Sequence, residues 1–238
     1  MLKIGFLSFL VFLSLKTTTA ISQNNREKEM YIVLDQDLSS GNELINNGKL
    51  HINNEDTYNN EHRYFQENIL YTEEIKFNNQ VYYNNKIKYD IFKDDLLLNP
   101  ENQSEKVLVV LNKSKIAYFT IQNRKFVPIQ LQKEKPFEYV EENLRSNAFT
   151  FYIKYKKTDK EIIQENSLLT SYIQDNSYFI KINNTITEVK SKKSIQNLFP
   201  QCKSEINTYY TNYRKLEKEN NIKFMENLML TINKSFKN

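Results

Sequence analysis

The chain has 238 residues, 39% of them hydrophobic and 13% aromatic. That is enough apolar material for a sizeable core, and it excludes wholesale disorder. A formal net charge of +4 and a single cysteine exclude a strongly basic nucleic-acid binder and a disulfide framework.

The mean hydropathy of −0.66 comes from heavy use of Asn, Lys and Glu rather than from a shortage of core residues. Residues 1–20 read as a signal peptide. Lys3 supplies the positive start, Ile4 to Leu15 the apolar stretch, and Thr18-Thr19-Ala20 the small residues before a cleavage point. The apolar run is too short to span a hydrocarbon layer of about 30 Å, and Lys16 interrupts it. Cleavage after Ala20 leaves 21–238, removes Lys3 and Lys16, and lowers the formal charge to +2. No later segment is apolar enough to cross a membrane. The expected destination is the periplasm or cell envelope, or secretion. Cys202 has no partner for an internal disulfide, so it is either buried or a free thiol.

In chain order, Ser22–Lys28 is a polar leader and Tyr31–Leu34 a first strand. Asp35-Gln36-Asp37-Leu38-Ser39 opens like a calcium loop, but Ser40 stands where the turn glycine belongs and Asn46 where the bidentate glutamate belongs. A solvated turn is the better reading. Asn47-Gly48 is a strong two-residue turn signal. Asn53–Glu61 is a polar loop, and His62-Arg63-Tyr64-Phe65 leads back into structure.

Ile75 to Leu98 reads as a hairpin passing into a long strand. A three-residue loop of Asn78, Asn79 and Gln80 sets Phe77 against Val81 and Ile75 against Tyr83, gathering four apolar side chains on one face. Asn84-Asn85 reads as a bulge. Beyond it Ile87, Tyr89 and Ile91 share one face, with Lys86, Lys88 and Asp90 on the other. Lys106–Leu111 is continuously apolar, as expected of a central strand covered on both sides, pairing with Ile116–Ile121 across Asn112-Lys113-Ser114. A polar turn at Gln122–Arg124 leads into Lys125–Leu131. That strand contains Pro128, which donates nothing to a ladder and so predicts an edge position or a bulge. Phe149, Phe151, Ile153 and Tyr155 alternate with Thr150, Tyr152, Lys154 and Lys156, the pattern of an amphipathic strand. Thr158–Thr170 reads as a connector with room for a helical turn. The hairpin wording returns at Ile180–Ile186, where the same loop length places Ile182 opposite Ile186; two short matches do not make a repeat protein.

From Ser191 the period becomes helical. Ser191 or Ser194 caps a short helix ending before Pro200, which suits the first turn of the next. Ile206, Tyr209, Tyr210, Tyr213 and Leu216 form one apolar stripe, and Met225, Leu228, Met229 and Ile232 a second. Both are expected to cover the sheet, with a partner-binding groove as the alternative. The expected architecture is therefore α+β and mostly β. It is an antiparallel meander of hairpins, a curled sheet or sandwich, covered by helices from about residue 191. It forms a single domain over 21–238.

Several pieces resemble a group of uncharacterised exported proteins of the Bacteroidetes type. They are Leu44-Ile45-Asn46-Asn47-Gly48, Tyr64-Phe65, Lys88-Tyr89-Asp90, Asp94-Asp95-Leu96-Leu97, Lys125-Phe126-Val127-Pro128 and Phe137-Glu138-Tyr139-Val140. Glu188 to Ser194 running on to Leu198-Phe199-Pro200 completes the set. Where the group has a glycine turn after the Phe137 strand, this chain carries Glu141 to Asn147. The resemblance implies export and a β-rich architecture, and it brings no activity, cofactor or site residues.

Candidate chemistry is sparse. Beyond the signal peptide only Gly41 and Gly48 remain, so there is no glycine-rich phosphate loop, no nucleophile elbow and no His-Glu-x-x-His helix. His51 and His62 are the only histidines; a metal site would have to join both with Asp35, Asp37 or Glu61, and no spacing suggests it. Cys202 with a histidine could form a thiol nucleophile, though a lone cysteine beside a helix start is more often packing. Paired acids occur at Glu73-Glu74, Asp94-Asp95 and Glu141-Glu142, but neighbours in a strand face opposite ways, so no single pair serves a glycosidase. Asp94-Asp95 reads as the turn before the Leu96 strand. Abundant Tyr and Phe offer rings for binding sugars or side chains, although Trp is absent. The expectation is a non-enzymatic envelope protein with a binding or scaffold role and no cofactor or metal. Its partner would be an envelope protein or glycan rather than nucleic acid. The alternative is a carboxylate-based hydrolase acting on an envelope or extracellular polysaccharide.

Overall fold

In the computed structural model, residues 48–53 and 55–236 are described. The signal peptide, the Tyr31–Leu34 strand, the Asp35–Ser39 loop and Asn47 lie outside them. Among these residues thirteen strands are followed by four α-helices.

Eleven strands form one antiparallel sheet. They are β1 (Lys49–Leu50), β2 (Tyr71–Phe77), β3 (Gln80–Asp90), β4 (Asp95–Asn99), β5 (Val109–Val110), β6 (Ile116–Ile121) and β7 (Arg124–Ile129). β8 (Glu138–Arg145), β9 (Thr150–Lys154), β12 (Ser177–Ile182) and β13 (Thr185–Glu188) complete it. The spatial order is β1-β5-β4-β3-β2-β6-β7-β8-β9-β12-β13, a meander running outward from β2 in both directions. The remaining pair, β10 (Lys157–Gln164) and β11 (Ser167–Gln174), is a separate hairpin where a connector is predicted. Its tip leaves Ile163 and Leu168 exposed. The helices are α1 (Lys192–Leu198), α2 (Lys203–Asn212), α3 (Arg214–Glu219) and α4 (Asn221–Ser235).

The sheet is rolled, not flat. β3 and β8 are four strands apart in hydrogen-bonded order, a separation of about 19 Å in a flat sheet. Yet the rings of Tyr89 on β3 and Tyr139 on β8 lie 5.7 Å apart. Phe119 and Phe126 stack between them at 4.9 Å. These rings, with Phe65 and Tyr155, form the centre of the main core. Ile195, Ile206, Phe224, Met225, Leu228, Met229 and Ile232 cover it from the helices, so the second helical stripe is core throughout and the first is core at Ile206 and Tyr209. Two small clusters sit apart from that core, Tyr64-Leu97-Leu108 and Val140-Tyr152-Phe179.

The hairpin register differs from expectation. Phe77 pairs with Gln80 and Ile75 with Tyr82, so the loop is Asn78-Asn79 alone. Both loop residues have positive φ, 49° and 65°, the signature of a type I′ turn whose twist matches the strands. The extra residue needed to bring Ile87, Tyr89 and Ile91 onto the core face is supplied by the bulge at Asn84, φ 59°. The second hairpin is corrected likewise: Ile182 pairs with Thr185 and Lys181 with Ile186.

Three other expectations change. Val109–Val110 pairs with β1 and β4 near the sheet edge, and β6 pairs with β2 and β7 instead. The β7 strand is interior, not an edge. Its ladder with β6 stops at Phe126, so Pro128 has no β6 residue opposite it and its missing N–H costs nothing on that side. The polar face of β9 is also covered, with Tyr152 and Lys154 buried. At the helical end Ser191 and Ser194 form a reciprocal capping box, and Pro200 starts a 3₁₀ turn before α2. The stripe through α2 breaks at Tyr213, which is exposed. Gly48 precedes β1 at a point where a Cβ would lie 2.5 Å from the Val110 carbonyl oxygen, so its role is close approach.

Candidate functional site

Charged side chains gather at three places around the rolled sheet. The first closes the roll. Asp94, in left-handed conformation between β3 and β4, accepts from Lys113 and Lys154 at 2.5 Å each, from the Tyr89 hydroxyl at 2.6 Å and from the Tyr139 N–H at 3.2 Å. Lys154 is buried; desolvation lowers its pKa, with Asp94 and Glu138 opposing. Asp94 is thus a turn residue, as predicted, and also the clasp that ties β3–β4 to β8 and β9.

The second holds the segment before β2. Arg63 is fully buried, with Nε 2.7 Å from Asp90 Oδ2 and Nη1 3.1 Å from Glu55. The Arg63–Asp90 contact is a close ion pair with both partners removed from solvent. Asp90 therefore sits in the interior rather than on the solvated face predicted for it, and burial raises its pKa despite Arg63. Glu55 also accepts from the Tyr172 hydroxyl, joining the β10–β11 hairpin to this cluster.

The third lines a cavity. Arg124, the first residue of β7, places Nη1 within 3.0 Å of both Glu141 oxygens on β8, 3.0 Å from Glu226 on α4 and 3.2 Å from the Tyr155 hydroxyl after β9. Asn143 Nδ2 donates to the same two glutamates, at 2.9 and 3.0 Å. Tyr155 donates to Glu141 at 2.6 Å; burial and the adjacent carboxylate raise its pKa. The cavity, about 220 Å³, is lined by Arg124, Tyr155, Glu226, Gln174, Asn220 and Lys223 with Phe65 as an apolar wall. It lies at the mouth of the rolled sheet, where β7, β9, β11 and the start of α4 meet, a usual position for a ligand site. Lys223 and Gln174 are exposed at its rim, whereas Glu141 and Glu226 are buried.

The sequence singles out Glu141 but not its partners. Alternation sends Glu142 the other way, toward Arg145 at 3.6 Å, so the adjacent pair does not act together. The acid that joins Glu141 comes from Glu226, eighty-five positions along and embedded in an apolar helical stripe. Glu73 and Glu74 are both committed to β6, the former to Thr120 and the Gln122 N–H, the latter to the Tyr118 hydroxyl. His51 and His62 do come together, on Tyr64: His51 Nε2 lies 3.4 Å from the hydroxyl and the His62 ring stacks at 6.1 Å. Glu61 turns instead to Ser171 and the Tyr172 N–H. Asp35 and Asp37 are outside the described residues, and no group of three or more His, Cys, Asp or Glu among the described ones is disposed to hold a metal. Cys202 is buried in the main core, and burial pushes its thiol up.

These features define an open, rolled antiparallel sheet capped by helices, with an ion-paired polar pocket at its mouth. Comparison of the chain with family models, curated proteins and solved structures finds no match. No helix among the described residues is long and apolar enough to cross a membrane.

Proposed function

We propose that this is an exported, non-enzymatic protein of the cell envelope that binds a polar ligand in the pocket between Arg124 and Lys223. A glycan unit is the ligand class that suits it. One observation carries the reading: Glu226, Tyr155 and Arg124 converge on one concavity whose rim is amide and amine, from Gln174, Asn220 and Lys223. Planar amides and charged groups beside an aromatic wall match a molecule with many hydroxyls and an apolar ring face. The signal-peptide pattern supports export.

A second reading, a carboxylate-based hydrolase, has its own support. Glu141 and Glu226 share two donors, so their oxygens are no further apart than two hydrogen bonds end to end. That is close to the roughly 5 Å separation of a retaining glycosidase pair. Binding is favoured because Glu141 is enclosed and both its oxygens already accept from Arg124, with Asn143 and Tyr155 beside it. An acid so committed has no free oxygen to face a glycosidic bond.

Calorimetric titration with a panel of envelope-derived oligosaccharides separates the two. The expected result is saturable binding without turnover, weakened roughly tenfold by Gln174→Ala with Lys223→Ala, the loss of about one or two hydrogen bonds. Turnover that disappears in Glu226→Gln would establish the hydrolase, and no binding by any oligosaccharide would refute the pocket as a glycan site.

A further inference from the structure

A second concavity lies on the helical side, built from α1, the 3₁₀ turn at Pro200 and α2. It measures about 690 Å³, and its lining includes Lys192, Lys193 and Lys203, amides such as Gln196 and Asn207, and Pro200, with no carboxylate. Among the described residues none of the three lysines forms an ion pair, although Lys190 nearby is paired with Glu188 at 3.1 Å. Gln196 Nε2 donates to Asn207 Oδ1 at 2.9 Å, which joins α1 to α2 and fixes the floor. Lys192 Nζ rests 5.4 Å from the Tyr210 ring centroid, which holds its head over the helix pair.

This arrangement is unfavourable to the fold on two counts. Three like charges share one hollow without a counter-charge, and each raises the cost of the others. Lys192 and Lys193 also occupy the first turn of α1, where the helix dipole disfavours cations and where the first turn carries no acid. Neither feature stabilises the chain; both concentrate positive potential in a groove with a rigid floor.

We propose that this groove binds a linear polyanion, a strand carrying phosphate or carboxylate groups at repeated intervals. A strand fits better than a membrane surface, because the site is a hollow whose only apolar lining residue is Pro200. The lysines contact successive anionic groups, and Gln196 and Asn207 serve the strand between them. The site is separate from the Arg124 pocket and does not depend on its reading.

The test is binding of long-chain polyphosphate and of polygalacturonate to the full mature chain at two salt concentrations, with anionic phospholipid vesicles as a third probe. The variants are Lys192→Gln/Lys193→Gln/Lys203→Gln together, and Lys160→Gln on the exposed hairpin as control. Binding of either polymer that weakens with salt, falls roughly tenfold or more in the triple variant and is unchanged in the control supports the proposal. Equal binding by wild type and triple variant overturns it. So does binding of neither polymer, and so does binding confined to vesicles, which would make the groove a membrane contact. None of the three lysines is buried, and their mutual repulsion is relieved by substitution, so the triple variant is expected to unfold at a temperature no lower than wild type.

Discussion

His51 and His62 meet on either side of Tyr64, and both have lowered pKa values for the same first reason, burial. Arg63 and Lys93 add to the effect at His51, with Asp95 opposing; Lys157 and Lys88 add to it at His62, where Glu67 opposes. The sign follows directly. Below the ordinary value of 6.5 the unfolded chain takes up protons that the folded protein resists, so stability rises with pH across that window. It is fully present above 6.5 and is lost as pH falls toward the folded values. Urea unfolding of wild type and of His51→Gln/His62→Gln should therefore diverge below about pH 6.5, with the flatter profile in the variant. Parallel profiles would show that these histidines titrate alike folded and unfolded. The same scale explains why the ionic site residues were hard to read. Asp90, Lys154 and Glu141 occupy alternation positions that look solvated, yet Asp90 is covered by the Arg63 segment, Lys154 by the Asp94 clasp across the roll, and Glu141 by Arg124 and Asn143 beside Glu226 of α4. Strand periodicity reports which face a side chain takes, not whether a second layer covers that face.

Among elements, the hairpins show where legibility ended. Counting apolar side chains favours a three-residue loop at Asn78, because that register aligns Phe77 and Ile75 with the odd-numbered residues of β3. The protein reaches the same alignment with a two-residue turn plus the bulge at Asn84. The bulge was readable, and combining it with the shorter loop was the missing step. Turn chemistry also explains the Asn-rich composition. Of fourteen non-glycine residues with positive φ among those described, nine are Asn, so Asn does in this glycine-poor chain what glycine does elsewhere. The Gln122-Asn123 and Glu165-Asn166 turns repeat the two left-handed residues of Asn78-Asn79. Replacing Asn79, φ 65°, by Gly removes the remaining Cβ strain at an exposed turn. Asn79→Gly should raise stability by about 0.5 kcal/mol in chemical denaturation, and a loss of stability would contradict the type I′ assignment. The β10–β11 hairpin escapes sequence reading because Thr158–Glu161 is polar and its apolar residues come as adjacent pairs, Ile162-Ile163 and Leu168-Leu169, so no alternation marks a strand.

At the scale of the whole molecule, three ionic clusters divide the labour of a sheet that does not close by hydrogen bonds. Asp94 clasps the roll along its length, Arg63 fixes the leading segment and the β10–β11 hairpin, and Arg124 draws Glu226 of α4 onto β8. The last of these opens onto a cavity of about 220 Å³. Long-range assembly of this kind has no local sequence signal, since Arg124 and Glu226 are 102 positions apart. The core itself was legible: the strand face of Ile87, Tyr89 and Ile91 and the stripe of Met225, Leu228, Met229 and Ile232 are all buried together. The claim that matters most is that the Arg124 mouth receives a glycan. Backbone amide chemical-shift mapping during titration with envelope-derived oligosaccharides tests it most directly. The account predicts saturable shifts centred on Gln174, Asn220 and Lys223; shifts confined to other surfaces, or none at saturating concentration, would contradict it.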